Sequence, residues 1–333
     1  MEEGDIPDWV EPAMQKAILD GKGSFEETNA KSFPVGQGDD VDSLVAAGAK
    51  VIVIAPGYES DYLPAIQRAV KAGIPVITLD RSIGLAGTVH VAFDPVEEGR
   101  QTARSLLALK PKGTYAIIKG DSATSPESEA KASGILEILQ PAVDRGDIKI
   151  VAAVDTHWWD PAHAMDEMRT ILEQNGRIDA VAVESDGMAS GVEEVLHEAK
   201  LTGKVAVVGI STGNGDAVTG PFAVLSGSQA ADVWGNPERI GTAVGQAAIA
   251  LCRDPDISKV QGAAPVTWPG RDPMTAILLT PETITRDNLS VVIYTDIKWR
   301  QQICGDSVPG PNAPAACQIG PVPSASASTQ SQP

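Results

Sequence analysis

An acid and a base stand side by side after an apolar run, within ITLDRSI at residues 77–83. The six residues before the pair, 74–79, are mostly apolar and β-branched, which is typical of a buried parallel strand. Arg81 would offer a fixed fork of donors, and Asp80 could accept from two hydroxyl groups. The pair therefore predicts a polar ligand held at the carboxyl end of a strand. The alternative is a weak ion pair on a solvated loop.

The composition limits the class of protein. With 333 residues, 43% of them apolar, the chain is long enough for one large or two ordinary domains with a real core. The net charge of −18 argues against nucleic acid, whose phosphates need Lys and Arg, and disfavours an anionic membrane surface. No apolar run approaches the roughly 18 residues of a membrane helix. The acidic N-terminus lacks a signal peptide, which taken literally indicates a cytoplasmic protein.

Three cysteines indicate little redox or metal chemistry. Cys304 and Cys317 bracket a loop rich in Pro and Gly, which a disulfide could close in an oxidising compartment; free thiols are the alternative. Cys252 lies in the helical run AVGQAAIALC and is expected to be a small core residue. No zinc spacing such as CxxC occurs, so we predict neither a metal site nor a cofactor.

Short apolar runs alternate with amphipathic segments over much of the chain. The predicted strands are 51–55, 74–79, 114–119, 148–154, 178–183 and 204–210. Helical patterns lie between several of them, such as YLPAIQRAVKAG, in which Leu63, Ile66 and Val70 share one face. This βα repetition with continuously apolar strands predicts an α/β protein with parallel sheet covered on both faces.

The order of elements changes in the last third of the chain. GPFAVLSGSQ at 220–229 is interpreted as a further strand, and TAILLTP at 275–281 as a late one. Between them a helix opens near Asn236, with Pro237 at its first turn. The final segment, 321–333, is dominated by Pro, Ser and Ala and is expected to be disordered. The βα units are too many for one tidy sheet.

Several segments together resemble the sugar-binding proteins of bacterial ABC importers. In chain order they are VIVIAPG, AIQRAVKAGIPVITLDR, VAFDPVEEGRQTARSLL, IDAVAVESDGMASGVEEVL, KVAVVGISTGN and ILLTPETITRDNLSVV. The resemblance covers about residues 5–300, is nearest to the ribose- and xylose-binding type, and in the last segment is most similar to the xylose-binding branch. It implies a type I periplasmic binding fold, in which two doubly wound parallel-sheet lobes are joined by a three-strand hinge around a sugar.

The resemblance also implies a division of the chain. Lobe one would hold 1–92 and 238–274, lobe two would hold 93–237 and 275–300, and 301–333 would be a disulfide-looped or disordered tail. The family begins with a signal peptide and a strand ahead of the first helix, whereas the first clear strand here begins at Val51. We therefore expect a truncated chain or a gene start placed too late, with a shortened family member as the alternative. The mature protein would be periplasmic or on the cell surface.

The resemblance assigns sugar-binding roles to specific residues. The strand-end pair at 80 and 81 would grip the sugar hydroxyls and the ring or anomeric oxygen. Trp9 and one of Trp158 and Trp159 would stack on the sugar, although Trp9 could instead cover the lobe core. Lys131 stands where the ribose type has Arg and would donate as a point charge, unless it lies on a solvated helix face.

Four further candidates depart from the family pattern or serve a second purpose. Ser185 and Asp186 stand where the family has Asn-Asp, and either would contact sugar unless Asp186 caps the next helix. Ser211 stands where the family usually has a strand-end Asp, which removes one hydroxyl acceptor unless Asn214 or Asp216, a few residues on, compensates. Asn236 lies near a family Gln or Lys position and would contact sugar or cap a helix. The sugar is therefore expected to differ from ribose or xylose, or to bind more weakly.

Mechanistically, the resemblance implies a monomer that binds a monosaccharide by hinge closure and presents it to an ABC permease, without catalysis. A sugar-phosphate enzyme is disfavoured because no GxSxG, Walker or GxGxxG turn follows a strand. A transcription regulator would need a basic helix-turn-helix ahead of lobe one, and the first 50 residues are acidic. A binding protein that presents sugar to a chemoreceptor or kinase uses the same lobes and stays open as the alternative.

Overall fold

The computed structural model describes residues 10–28, 36–57, 62–211, 218–269, 272–293, 301, 303, 304 and 317. Trp9, Asn214, Asp216 and the segment 321–333 lie outside the described residues. The strands are β1 Ile52–Ile54, β2 Val76–Leu79, β3 Thr88–Phe93, β4 Gly113–Lys119, β5 Ile148–Asp155, β6 Ala180–Val183, β7 Ala206–Ser211, β8 Ala231–Trp234, β9 Ala264–Val266, β10 Met274–Leu279 and β11 Glu282–Ile284. The helices are α1 Glu11–Asp20, α2 Gln37–Ala46, α3 Leu63–Lys71, α4 Pro95–Leu109, α5 Pro126–Asp144, α6 Pro161–Asn175, α7 Asp186–Glu198, α8 Thr219–Ser226, α9 Pro237–Arg253 and α10 Ser290–Ile293.

The strands form two sheets, one in each lobe. The first has the order β1-β2-β3-β10-β9, and the second has the order β11-β8-β7-β6-β4-β5. Neighbouring strands are parallel except at one edge of each sheet, where β9 and β11 run antiparallel to β10 and β8. The predicted α/β class with two parallel-sheet lobes is confirmed.

Strand β4 illustrates why the second sheet has helices on both faces. Its side chains alternate between two buried clusters, because successive residues of a strand point to opposite faces. Tyr115 and Ile117 pack in the cluster that includes residues of α4 and α5, whereas Ala116 and Ile118 pack with residues of α6 and α7. A strand covered on both faces has no polar side to expose, which explains its continuous apolar sequence.

Three helices that follow strands begin with the same two-residue signal, an Asp or Asn followed by Pro. Proline fits the first helical position because its missing N–H would have no partner there. The preceding side chain accepts from free N–H groups of the first turn at α4, α6 and α9. The capping residues are Asp94, Asp160 and Asn236. Two of these helix starts, those of α4 and α9, immediately follow a passage of the chain from one lobe to the other.

The chain passes between the lobes three times: from β3 to α4, from β8 to α9, and from β10 to β11. The first and third passages are joined by the Asp94 N–H, which donates to the Leu279 carbonyl oxygen at 2.8 Å. The first and second touch at Gly235, where an added Cβ would lie 2.6 Å from the Phe93 ring. The three passages therefore lie side by side, as a hinge requires.

The strand pairing differs from the predicted lobe boundary at one point. Residues 275–300 were assigned to lobe two, but β10 pairs with β3 in parallel, with Thr275 opposite Val89 and Leu279 opposite Phe93. Because β10 continues the first sheet, the third passage follows Leu279 instead of preceding Thr275. The other predicted boundaries stay predictions.

Two local predictions were wrong. The segment 220–229 is not a strand: residues 219–226 form α8, which ends at Gly227 in the left-handed region, with φ of +87°. A short apolar run fits a buried helix as well as a strand, and this one buries residues on one helical side. Cys252 is exposed and not a core residue, because the buried stripe of α9 runs through Val244, Ala248 and Leu251.

The question of the two late cysteines is answered by a disulfide between Cys304 and Cys317. Cys317 is buried in a small apolar cluster of lobe two with Trp234, Ile284 and Leu289, so the bridge holds part of the tail on that lobe. Within the described part of the chain, no helix combines the length and apolar character that crossing a membrane requires.

Candidate functional site

The predicted strand-end pair lies where β2 ends, at the carboxyl edge of the first sheet. Asp80 has a φ of +67°, and the N–H of Arg81 donates to the Leu79 carbonyl oxygen at 2.8 Å, so the chain makes a tight three-residue turn. A positive φ is uncommon for a residue with a Cβ, and such positions cluster at functional sites. Both side chains of the pair are half-buried.

Ser82, the residue after the pair, forms a hydrogen bond between the two lobes. The N–H of Ser82 donates to Glu127 Oε1 at 2.8 Å, and Glu127 Oε2 accepts from Ser125 Oγ at 2.9 Å. Glu127 lies in the first turn of α5 and is buried. The turn after β2 therefore meets the N-terminus of a lobe-two helix, directly beside the predicted pair.

Lys131 is the buried cation of lobe two, with 4% of its surface exposed. Its Nζ lies 3.5 Å from Glu98 Oε2 and 3.4 Å from the Glu184 carbonyl oxygen. It also lies 5.0 Å from the ring centre of Trp159, within cation–π range. A buried charge needs such partners. The alternative of a solvated helix face does not describe Lys131.

Glu98 links this cation to the strand-end pair of lobe one. Its pKa is raised to about 7, chiefly by burial; Lys131 opposes the shift, and the negative charges of Asp94 and Asp80 add to it. Asp80 belongs to lobe one and Glu98 to lobe two, so the carboxylates of two lobes lie within electrostatic reach of each other. The Ser82–Glu127 hydrogen bond and this long-range influence both bring the end of β2 close to the charged groups of lobe two.

The two adjacent tryptophans differ sharply. Trp159 is half-buried and lies against Gly120, where a Cβ would come within 2.4 Å of the indole ring. Trp158 is 54% exposed. Both have positive φ, at 57° and 58°, so together with Asp80 they make three of the five non-glycine residues with positive φ in the described chain. The backbone is thus unusual on both sides of the predicted site.

Glu184, the last residue before the Ser185-Asp186 pair, is fully buried. Its Oε2 accepts from the Gly120 N–H at 2.9 Å and from Ser128 Oγ at 2.5 Å. Its Oε1 has no hydrogen-bond partner among the described residues. Burial raises the pKa of Glu184 to about 7, against the lowering effects of these hydrogen bonds and of Lys131.

Ser185, and not Asp186, caps α7, because Ser185 Oγ accepts from the Met188 N–H at 3.2 Å. Asp186 is 1% exposed and accepts from Ser211 Oγ at 2.7 Å and from Gln229 Nε2 at 3.1 Å. The alternative in which Asp186 caps this helix is therefore wrong. The carboxylate points instead to the neighbouring strand ends.

Ser211 stands between two buried carboxylates. Its Oγ lies 2.7 Å from Asp186 Oδ2 and 2.6 Å from Asp232 Oδ2. A hydroxyl group carries one proton, so it can donate to only one of these oxygens at a time. The serine side chain is 1% exposed, and its bonding tethers the ends of β6 and β7 to β8.

Asn236 caps α9, with Oδ1 accepting from the Glu238 N–H at 2.9 Å. It stands at the second passage between the lobes, next to Gly235, whose N–H donates to the Ser211 carbonyl oxygen at 2.8 Å. Two pairs of the predicted site residues contact each other: Lys131 with Trp159, and Asp186 with Ser211.

Sequence reasoning assigned no role to Glu98, Glu127 or Glu184. The signal for Glu98 is its helical spacing with Thr102 and Leu106, which places it on the buried side of α4. A carboxylate is unusual there unless it has a partner. Glu184 directly follows a strand, as the strand-end pair does, and this position was a signal too. Glu127 had no signal, since an acid in the first turn of a helix is ordinary.

Comparisons with known proteins agree with this architecture. A model of the periplasmic binding protein domain family matches residues 7–255. The D-xylose-binding periplasmic protein of Escherichia coli K12 is 26% identical over 261 residues, 77% of this chain and 76% of that protein. The xylitol-binding protein of Mycolicibacterium smegmatis is 29% identical over 271 residues, 80% of this chain and 70% of that protein. The periplasmic binding component of an arabinose ABC transporter from Shewanella sp. ANA-3 has the same fold, with a TM-score of 0.67, 23% identity and coverage of 90% and 94%.

Proposed function

Because this chain belongs to the periplasmic binding protein domain family, we propose that it captures a monosaccharide between its lobes and delivers it to an ABC importer. The ligand is a pentose or hexose of xylose-like type. The protein acts as a monomer outside the cytoplasmic membrane, its partner is the permease, and it catalyses no reaction. Relatives that are named as xylose- and xylitol-binding proteins support the ligand class.

The observation that carries the proposal is that the turn after β2, which holds Asp80 and Arg81, hydrogen-bonds to lobe two through Ser82 and Glu127. Lys131 lies one helical turn beyond Glu127 in α5. Sugar sites need a mixture of acids and bases, because each hydroxyl group both donates and accepts. Ligands of doubly wound sheets bind outside the carboxyl ends of the strands, which is where these groups lie.

In the proposed complex Arg81 donates to two sugar oxygens, Asp80 accepts from hydroxyl groups, and Trp159 covers one face of the ring. Lys131 donates from lobe two, and Ser185 lies beside it. Charge-assisted hydrogen bonds contribute about 1.5–3 kcal/mol each. Three or four of them, less the ordering costs, reach the roughly −8 kcal/mol of a micromolar complex.

The remaining predicted residues have supporting or outer positions in this proposal. Ser211 and Asp186 bond to each other and hold the strand ends under the ligand. Asn236 caps its helix at the hinge, and exposed Trp158 lies at the rim. Trp9, outside the described residues, stays a predicted stacking residue.

Capture would operate by hinge closure. A sugar held by groups of both lobes binds the closed arrangement more tightly than the open one, so it shifts the population toward closure. The permease would then recognise the closed form. No step of this cycle requires a bond to be made or broken, which is why neither a catalytic residue nor a cofactor is needed.

Isothermal titration calorimetry with D-xylose, D-ribose, D-allose, xylitol and L-arabinose tests the proposal directly. We expect at least one of them to bind with micromolar affinity, and Arg81→Ala to weaken that binding about 100-fold or more, which corresponds to the loss of one to two charged hydrogen bonds. The variant should still unfold in a single cooperative thermal transition without ligand.

Arg68→Ala is the matched control. Arg68 is also a lobe-one arginine, but it forms an exposed ion pair with Asp42 on the surface, so its loss should leave affinity unchanged. If none of the five ligands binds, or if Arg81→Ala binds as the unaltered protein does, the proposed site is wrong.

A further inference from the structure

The two carboxylate oxygens of Glu184 have unequal surroundings. Oε2 receives two hydrogen bonds, from the backbone of Gly120 and the hydroxyl group of Ser128. Oε1 receives none from the described residues, although the side chain is fully buried. Buried polar atoms in folded proteins are almost always hydrogen-bonded, so an acceptor without a donor needs a reason. The protein holds the carboxylate firmly by one oxygen and leaves the other available.

The surroundings of Glu184 are those of the proposed sugar site. Gly120, which donates to Oε2, is the residue against which the Trp159 ring lies. Lys131, whose Nζ is 3.4 Å from the Glu184 carbonyl oxygen, also faces that ring at 5.0 Å. Glu184 thus contacts Lys131 through its carbonyl oxygen and lies beside the indole ring through Gly120. A sugar bound against that ring would have the cation and the carboxylate of Glu184 nearby.

We propose that Glu184 Oε1 accepts a hydrogen bond from one hydroxyl group of the bound sugar and thereby selects ligands that carry a hydroxyl group at that ring position. The inference rests on the proposed function and adds the residue that sets specificity. It also answers the loss of the strand-end acid at position 211. Ser211 is engaged by Asp186 and Asp232, and Glu184 supplies the missing acceptor one strand away.

Selection follows from the cost of leaving Oε1 unmatched. A site built to bond a hydroxyl group discriminates strongly against the analogue that lacks it, because the buried protein group is then left without a partner in the complex. A neutral hydroxyl group suits the position better than an amine, because Lys131 already places a positive charge beside the carboxylate. The proposed ligand is therefore a neutral sugar with a donor at this point.

Glu184→Gln tests the inference with the least disturbance. The amide oxygen can keep the hydrogen bonds from Gly120 and Ser128, which places the amide NH₂ where Oε1 was and turns an acceptor into a donor. We expect the variant to fold with an unchanged or higher thermal midpoint. Calorimetry should show a dissociation constant about tenfold larger or more for the sugar that the unaltered protein binds most tightly.

The monodeoxyfluoro analogues of that sugar identify the hydroxyl group concerned. Fluorine keeps the size of the oxygen but cannot donate. For one analogue the unaltered protein should lose about tenfold or more in affinity, whereas Glu184→Gln should lose less than about twofold relative to its own affinity for the parent sugar. This non-additivity would not arise if Glu184 merely supported the fold.

Asp179→Asn is the matched control. Asp179 lies at the opposite end of the same strand, β6, and also accepts from a backbone N–H, that of Thr114 at 2.8 Å. Its substitution should leave affinity within about twofold. If the unaltered protein binds sugar but Glu184→Gln binds it equally well and every fluoro analogue behaves alike in both, the inference is wrong while the proposed function stands. If the unaltered protein binds no sugar, both fail.

Discussion

Two polar clusters at the ends of the second sheet's strands behave differently. In the serine cluster, Asp186 and Asp232 share the hydroxyl group of Ser211, and the polar groups bond to one another. In the lysine cluster, Lys131 Nζ lies within 3.5 Å of a Glu98 carboxylate oxygen and of the Glu184 carbonyl oxygen, and 5.0 Å from the centre of the Trp159 ring. Both clusters are buried.

The difference separates structural from ligand-binding use of buried charge. The serine cluster joins strand ends through hydrogen bonds between its own side chains, which suits a structural role. The lysine cluster holds a buried cation against an aromatic ring, which suits a sugar site. Position in a family pattern favoured Ser211 and Asp186 as ligand residues, whereas the bonding pattern favours Glu184.

The largest expected effect comes from removing the cation of the lysine cluster. Lys131→Met would leave Glu98 and Glu184 buried without it, and breaking a buried ion pair typically costs about 3–5 kcal/mol. We expect a loss of this size in the free energy of unfolding at pH 8, measured with urea. At pH 5.5 the loss should be smaller, because both acids can then take up protons.

Lys259→Met is the comparison for that measurement. Lys259 forms ion pairs with Asp254 and Asp256, and all three side chains are at least 43% exposed, so its loss should cost about 1 kcal/mol or less. Equal losses in the two variants would mean that Lys131 is not a buried charge, and the contrast between the two clusters would disappear.

The sequence predicts the fold better than the connections within it. Apolar runs such as 114–119 and 178–183 identify strands because both faces of the sheet are covered, which removes ambiguity about alternation. Strand β8 was missed since it is only four residues long and carries the buried Asp232, while the longer apolar run before it is a helix. Short edge strands such as β9 and β11 had no distinguishing pattern.

The site was predictable where a charge follows a strand and not where it lies inside a helix. The strand-end pair was found because a parallel sheet brings strand ends to one edge. Glu98 lies among other charged residues of α4, which obscure its helical spacing with the buried Thr102 and Leu106. Ser211 bonds to Asp186 and Asp232, and Glu184 bonds to Gly120 and Ser128. These partners are distant in sequence, so only the folded structure shows which of the two side chains is used structurally.

The next effect concerns pH. The pKa values of Glu98 and Glu184 are both raised to about 7 in the folded state, chiefly by burial. The folded protein therefore retains protons that the unfolded chain releases near pH 4.5, so this stabilisation is present at low pH and is lost as pH rises toward 7. Between pH 5 and 8 we expect the free energy of unfolding to fall by a few kcal/mol, because each group contributes up to about 1.4 kcal/mol per pH unit in this range.

A double variant isolates that effect. Replacing both acids with glutamine removes the two titrating groups, so its unfolding free energy should depend less on pH than that of the unaltered protein over the same range. Equal pH dependence in the two proteins would show that the lysine cluster does not titrate there, and would remove the electrostatic part of the contrast.

The smallest effect should come from the serine cluster. Ser211→Ala removes the shared hydroxyl group, and a buried carboxylate deprived of a donor costs about 1–2 kcal/mol. We expect this loss in the free energy of unfolding, with sugar affinity within about twofold, which is the reverse of the result expected for Glu184→Gln. Ser226→Ala, which removes a hydroxyl group bonded only locally to the Ala223 carbonyl oxygen and Ser228, should change neither quantity. A tenfold loss of affinity in Ser211→Ala would place the serine cluster in the ligand site, because a group that only ties strands together has no reason to distinguish the bound from the free protein.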